Sequence, residues 1–513
     1  LRAAEGDASA TPAITINAGQ VKGHSSPILY GLMTEEINYS YDGGLYAELI
    51  ANRAFQDDAN EPVHWSVSGE NGGAGTISLD KSQPLNDALK SSLKFEITTA
   101  GSAQRVDLSN NGFWGIPVRP STVYRASFYA KAAPGFKGPL TVALAAGGAP
   151  ANLATANVRT LTDAWKKYEV TLKTGAGVAP SKNNRFVIST TGSGTIWLQN
   201  VSLFPPTYKN RPNGNRPDLM QLLADYKPAF LRFPGGNYLE GNTLATRFNW
   251  KETIGDISQR PGHMDDAWRY HSSDGMGLLE FLEWCEDMKA EPVLAVYAGY
   301  SLAQDRVKAG PDLEPFVQEA LDEIEYVIGD INTVWGARRA EDGHPAPFNL
   351  TYVEICNEDY FEQAKTYDAR YAQIADAIRA KYPQLKLIST IPDAKLDGRK
   401  PDMVDMHDYS ATDEFLKKSA SYGKDMNRSG PEIFVGEWAA HQDASARPWD
   451  AASHKLPPTP TMKAAIGDAA FMAAMERNSD IIKMQCYAPL FVNVNPGARQ
   501  WRPDLIGYDA LSA

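Results

Sequence analysis

The sequence predicts an α/β chain: a (β/α)8 barrel carrying an inserted all-β jelly-roll domain near its start. Three observations carry this. Past Pro206, short apolar runs alternate with amphipathic stretches to the end of the chain. Between Gln56 and Pro206 helical periodicity disappears, and Gly, Ser, Thr and Asn separate short alternating runs. Adding the apolar run Ile28–Met33 to those after Pro206 gives eight barrel strands. A chain of 513 residues is also too long for one compact core.

The elements follow in order. Residues 12–24, PAITINAGQVKGH, alternate well enough for a strand or short hairpin, so residues 1–25 read as an N-terminal strand region belonging to a β-sandwich. Residues 26–55 read as the first β/α unit: the strand at Ile28–Met33, then LYAELIANRAF, where Leu45, Leu49 and Ile50 have helical spacing. Residues 56–206 form the insertion, with strand candidates SLKFEITT, YRASFYAK, LTVALAA, KKYEVTLK, NRFVIST and TIWLQNVSLF. Trp165 and Trp197 lie within or beside these runs and are expected to pack. Residues 207–500 supply the other barrel strands: Phe230–Phe233, Pro292–Tyr297, Thr351–Ile355, Lys386–Ser389, Val404–His407, Ile433–Val435 and Ile482–Cys486. Amphipathic stretches such as GLLEFLEWCEDMKA and MKAAIGDAAFMAAMER lie between them. Residues 501–513 read as the start of a link to a C-terminal β-sandwich outside this chain.

Composition narrows the function. A net charge of -12 with no basic block argues against nucleic acid, whose phosphates need clustered Lys and Arg, and is compatible with a neutral substrate. No run of about 18 apolar residues is present, and the start LRAAEGDASATPA lacks the apolar core of a signal peptide. Cys285, Cys356 and Cys486 have neither metal-ligand nor redox spacing. Asn38, Asn200, Asn349 and Asn427 begin N-x-S/T sequons, candidate glycosylation sites on a eukaryotic secretory route, and the expected location is extracellular.

The chemistry is concentrated in LTYVEICNEDY and PEIFVGEWAA. In each, a β-prone run ends at a glutamate, Glu358 and Glu437, placed after strands four and seven on the C-terminal face where such barrels keep their active sites. Paired carboxyl groups are the minimum equipment for glycoside hydrolysis: one protonates the leaving oxygen, and the other attacks the anomeric carbon or activates water. Glu35 after strand one, Asn237 after the Pro-Gly-Gly turn of strand two, and His407 and Tyr409 after strand six converge on the same mouth, as recognition of sugar hydroxyls requires. The paired glycines imply positive φ and close backbone approach. His263, Asp265, Asp266, His407 and Asp408 could suggest a metal, but read as ordinary loop and supporting residues; no metal or cofactor is expected.

The stretches LYGLMTEEINYSYDGGLYAELIANRAF, LRFPGGNYLEG, VEICNED, VGEWAA, YAPLFVNVN and QWRPDLIGYD resemble glycoside hydrolase family 51 α-L-arabinofuranosidases, particularly fungal and related types with a carbohydrate-binding-module-like insertion. The resemblance implies a retaining, exo-acting double displacement that releases terminal α-L-arabinofuranosyl groups from arabinoxylan or arabinan. It implies Glu358 as acid/base, Glu437 as nucleophile, and Glu35, Asn237, Asn357 and Tyr409 as sugar-binding residues. Glu36 is the alternative to Glu35, since neighbouring strand residues face opposite ways. On this reading Glu358 starts protonated, raised by Glu437 and partial burial, and Asn357 bonds the sugar 2-OH. A carboxyl separation above roughly 6.5 Å would speak against retention.

Two departures accompany the resemblance. Cys356 stands where the family commonly has Gly before the Asn-Glu pair, and is expected to pack behind the site. The family normally continues past the barrel into a C-terminal β-sandwich, whereas this sequence stops at Ala513; either the sequence is truncated or the sandwich is a separate, proteolytically cut chain, and the cut chain is the expected partner, besides an arabinose-substituted polysaccharide. Rival readings are a β-xylosidase or endo-glycanase on the same barrel, and a noncatalytic carbohydrate-binding protein.

Overall fold

The computed structural model describes residues 16–21, 23–147, 152–442, 447–450 and 455–512. Eight parallel strands close a barrel: β1 (Tyr30–Met33), β2 (Phe230–Phe233), β3 (Glu291–Val296), β4 (Tyr352–Ile355), β5 (Lys386–Ser389), β6 (Met403–Ala411), β7 (Glu432–His441) and β8 (Ile482–Tyr487). β8 pairs with β1 through Gly31↔Cys486, which closes the ring. The strands are almost wholly buried, and apolar residues on both faces produce the continuous apolar runs seen in the sequence. Around them lie α1 (Pro217–Tyr226), α2 (Leu278–Met288), α3 (Glu314–Ile328), α4 (Val334–Glu341), α5 (Tyr367–Lys381), α6 (Thr412–Ser421) and α7 (Met462–Arg477).

The first unit differs from expectation. No α-helix follows β1: Tyr41–Leu45 forms a tight turn with Gly43 at φ 78°, and Asn52 and Phe55 also take positive φ. The helical spacing of Leu45, Leu49 and Ile50 has another cause. Leu45 packs into the barrel core, whereas Leu49 and Ile50 pack into the core of the insertion. The segment passes between two cores, and the helix that connects β1 to β2 is α1, on the far side of the insertion. The two crossings lie side by side. Tyr46 pairs with Asn215, and Leu49 N–H donates to the Leu203 carbonyl at 3.1 Å.

The insertion is a sandwich of two five-stranded antiparallel sheets. One runs in spatial order 65–69, 106–110, 184–190, 140–146, 152–158; the other runs 74–80, 92–99, 194–204, 123–132, 166–173. Leu93, Phe95, Leu108, Phe128, Val142, Phe186, Ile188 and Leu198 fill the space between. Trp165 and Trp197 lie outside this core, half-buried, with the Lys131 ammonium 5.1 and 5.4 Å from their rings. Asn86 Nδ2 donates to the Ser258 carbonyl and Trp114 Nε1 to the Pro496 carbonyl, tying the sandwich to loops of the barrel.

The strand or hairpin expected at 12–24 falls partly outside the described residues. The described part contains no strand: Asn17–Gln20 is a turn, and Ile16 and Val21 are exposed.

Candidate active site

At the C-terminal end of the barrel, a cleft of about 540 Å³ is lined by Glu35, Asn237, Glu358, Tyr409 and Glu437, with Trp268, Tyr360, Phe361, Trp449 and Trp501 toward its rim. A carboxylate oxygen of Glu358, a ring nitrogen of His407 and a carboxylate oxygen of Glu437 all lie within 4.8 Å of one another. The strands produce this convergence. His407 and Glu437 are direct register partners on β6 and β7, next to irregularities between Asp405 and His407 and between Val435 and Trp438 that re-aim both side chains. Gly436 permits it: a Cβ there would sit 2.3 Å from the Asp405 carboxylate, which instead accepts the Gly436 N–H at 2.7 Å.

Glu437 is held at both oxygens. Oε1 accepts from Arg232 Nη1 at 2.8 Å and Oε2 from the Tyr409 hydroxyl at 2.7 Å. Arg232 is wholly buried and spends its other nitrogens on Glu354 Oε2, at 2.5 Å, and Asn357 Oδ1, at 2.7 Å. Burial pushes Glu354 up to about 8, against the pull of Arg232. A side-chain hydrogen bond shared with Asp405 raises Glu354 and lowers Asp405, as a carboxyl group donating to a carboxylate does. Burial works against Asp405 ionising, but the His407 and Arg232 cations outweigh it and hold Asp405 low.

His407 bridges the site. Nε2 donates to Asp405 Oδ2 at 2.7 Å and Nδ1 to Glu358 Oε1 at 2.8 Å, with Glu437 Oε2 3.4 Å away. Burial alone would lower the imidazole; the carboxylates of Asp405, Glu437 and Glu358 around it hold it well above its usual range. This corrects the expectation for Glu358. Burial raises its carboxyl group, but donors from His407 and the Tyr360 hydroxyl, with the charge of Arg232, leave it lower than an ordinary glutamate. The expected neighbour effect of Glu437 is masked by the imidazolium between the two.

Glu35, not Glu36, faces the cleft. Its carboxyl is pushed well up by burial, then by Glu437 and Asp265, so it stands ready to donate. Glu36 turns inward and accepts from Tyr41 N–H, Asp42 N–H and the Tyr270 hydroxyl. The Pro-Gly-Gly turn takes positive φ at Gly235 and Gly236, and a Cβ on Gly236 would lie 1.9 Å from Glu35. The close approach is therefore to this carboxyl group. Asn237 lines the cleft and donates to Glu240 at 3.1 Å. Asn357 is 0% exposed and does not line the cleft; its amide brackets Arg232 and Glu240 from behind.

Cys356 and Glu358 both take positive φ, 72° and 44°, which explains why glycine suits position 356 in the resembled family. Burial pushes the Cys356 thiol well up, so it is no nucleophile. Sequence reasoning missed Arg232, Glu354 and Asp405. Each is a charge inside a short, doubly buried strand, and that interruption is the signal that would have found them. Of the sequons, Asn38 is 0% exposed and donates to Asp504 at 2.8 Å, and Asn200 is buried at a strand irregularity, so neither can carry a glycan in the folded protein; Asn349 and Asn427 are exposed.

Two family models match the chain: "Alpha-L-arabinofuranosidase 1 domain" over residues 222–428 and "Alpha-L-arabinofuranosidase C-terminal domain" over 436–509. The chain is 38% identical over 494 residues to alpha-L-arabinofuranosidase A of Aspergillus kawachii, covering 94% of this chain and 74% of that protein. It is 35% identical over 527 residues to alpha-L-arabinofuranosidase 1 of Arabidopsis thaliana, covering 99% and 73%. The solved arabinose-bound MgGH51 α-L-arabinofuranosidase superposes with a TM-score of 0.88 at 39% identity, over 96% of this chain and 79% of that one. None of these matches supports the β-sandwich fragment expected as a separate chain.

Proposed function

Since the chain belongs to the glycoside hydrolase family 51 α-L-arabinofuranosidases, we propose that Glu437 is its nucleophile and Glu358 its acid/base, acting on arabinose-substituted polysaccharide outside the cell. The chain has α-L-arabinofuranosidase activity, and its family is a retaining one. The observation that carries the residue assignment is the approach of Glu358 and Glu437 oxygens within 4.8 Å, short of the roughly 6.5 Å at which room for an inverting water begins.

In the first step a Glu437 oxygen forms a bond to the anomeric carbon, the glycosidic C–O bond breaks with its electron pair on the departing oxygen, and Glu358 supplies the proton. In the second, water loses a proton to Glu358 and attacks the same carbon, and the ester bond to Glu437 breaks. Arg232 and Tyr409 fix the attacking carboxylate in place before the sugar arrives. Glu35 and Asn237 present a donor-capable carboxyl and an amide to the sugar hydroxyls. Burial already works toward protonation of Glu358, and entry of the sugar adds to it by excluding water.

Hydrolysis of 4-nitrophenyl α-L-arabinofuranoside by the wild type and Glu437→Ala, with anomeric configuration followed by proton NMR, tests this. Release with retention that the substitution abolishes is expected; inversion, or full activity of the variant, would sink the assignment.

A further inference from the structure

The turn after Glu358 uses buried charge to hold two apolar rings in water. Asp359 and Glu362 are buried on Arg370, at 2.7 and 3.2 Å, and Asp359 also accepts from Thr390 at 2.9 Å. Gln304 donates to the Phe361 carbonyl and accepts the Gln363 N–H, and Lys365 caps the Tyr360 carbonyl. On this frame Tyr360 is 38% and Phe361 53% exposed, their ring centroids 4.5 Å apart, and both line the cleft. A rigid turn that leaves two large rings uncovered at the mouth of an active site is built for a ligand with an apolar face.

The position identifies which part of the ligand. The acid must touch the glycosidic oxygen, so the leaving sugar begins one bond from the Glu358 carboxyl. The Tyr360 hydroxyl is hydrogen-bonded to that carboxyl at Oε1, where His407 also donates. Oε2 has no partner among the described residues and is the oxygen left for the leaving group. Glu35 and Asn237, which line the same cleft, are the groups proposed for the arabinose itself. A pyranose chair offers a flat apolar C–H face to an aromatic ring, and a puckered furanose offers less.

We propose that Tyr360 and Phe361 form the leaving-group subsite, Phe361 as platform for a pyranose residue and Tyr360 as the positioning residue for Glu358, which selects arabinofuranosyl groups on a xylan-type backbone over those on arabinan. The proposal rests on Glu358 being the acid.

The test measures kcat/KM for wild type, Phe361→Ala and Tyr360→Phe on methyl α-L-arabinofuranoside, on xylotriose bearing one arabinofuranosyl group, and on arabinotriose. Phe361→Ala is expected to lose about tenfold on the substituted xylotriose, clearly less on arabinotriose, and under about twofold on the methyl glycoside; Phe361→Trp should restore the loss. Equal losses on all three, or none on the xylotriose, would overturn the platform. Tyr360→Phe keeps the ring but removes a donor from the carboxylate. It should shift the alkaline limb of the methyl glycoside profile to higher pH, and an unmoved limb would overturn the positioning role. Wild type inactive on the methyl glycoside would refute the enzyme assignment and this proposal together, and variants failing on one substrate only could not produce that result.

Discussion

The barrel and the inserted sandwich are both closed around buried side chains, yet they bury opposite kinds. Among the described residues between 56 and 204, every buried polar side chain is uncharged: Ser92, Asn110, Asn184, Gln199 and their like. The barrel buries Arg232, Glu354, Asp405 and Glu437 within one network, and Arg370 with Asp359 and Glu362 in another. A sandwich core gains by removing apolar area from water. A barrel mouth must keep charges dry and oriented, and it does so by pairing each of them. The lesson is that packing density and catalytic order are assigned to different parts of one chain.

The largest effect should come from the charged network. Glu437→Ala removes the proposed nucleophile and should lower kcat by about 10⁴-fold or more, while thermal stability holds or rises; a variant with ordinary turnover breaks the comparison at its root. Next is Arg232→Leu, which leaves Glu437 and Asp405 without their cation. It should cost about 3–5 kcal/mol, read as a lower urea midpoint, together with most of the activity. Phe128→Ala in the sandwich should cost a similar 3–5 kcal/mol, but with kcat unchanged in the protein that remains folded. A drop in kcat there would show that the two regions are not separable.

Two smaller effects concern pH. His407→Asn removes a donor and a positive charge from Glu358; both favour the carboxylate, so their loss keeps Glu358 protonated to higher pH. The alkaline limb of kcat/KM should therefore move upward, and a downward shift would refute the sign. The smallest effect is Asp468→Asn. Asp468, on α7, is raised by burial to about 7, while its Oδ1 accepts the Ala440 N–H at 2.8 Å. A carboxyl raised above its unfolded value of about 3.9 contributes stability that is full below that value and is lost as pH rises through 7. The amide keeps the acceptor and cannot ionise, so the variant should match wild type near pH 4 and exceed it by a margin that widens as pH rises from 4 to 8.

Much of this was legible in the residues, for identifiable reasons. Phe230–Phe233 and Lys386–Ser389 read as strands because each is a short run dominated by large apolar residues between amphipathic stretches, the first interrupted by Arg232, and 166–173 because its sides alternate. The sandwich strands at 65–69, 74–80, 106–110 and 152–158 were missed: WSVSG and NLATANV carry Ser, Gly, Ala and Asn where a clear pattern needs large apolar residues. Glu358 announced itself by ending an apolar run, and Glu437 by interrupting one that continues through Trp438 to His441. Glu354 did not, because it lies inside one, four residues from the more conspicuous acid. The lowered carboxyl of Glu358 was out of reach for a different reason: it depends on His407, 49 positions away in sequence and 2.8 Å away in space.

The placement of the insertion between β1 and α1 also sets a timetable. β1 is made first, but its neighbours β2 and β8 begin at Phe230 and Ile482. At the usual pace of synthesis roughly 10–40 s pass before β2 exists. In that interval all ten strands of the sandwich have left the ribosome, and Leu32 and Met33 have nothing to pair with. A module that folds promptly beside them holds its two tethers together at Tyr46 and Asn215 and hands the barrel a first strand already anchored next to the place where the second will arrive.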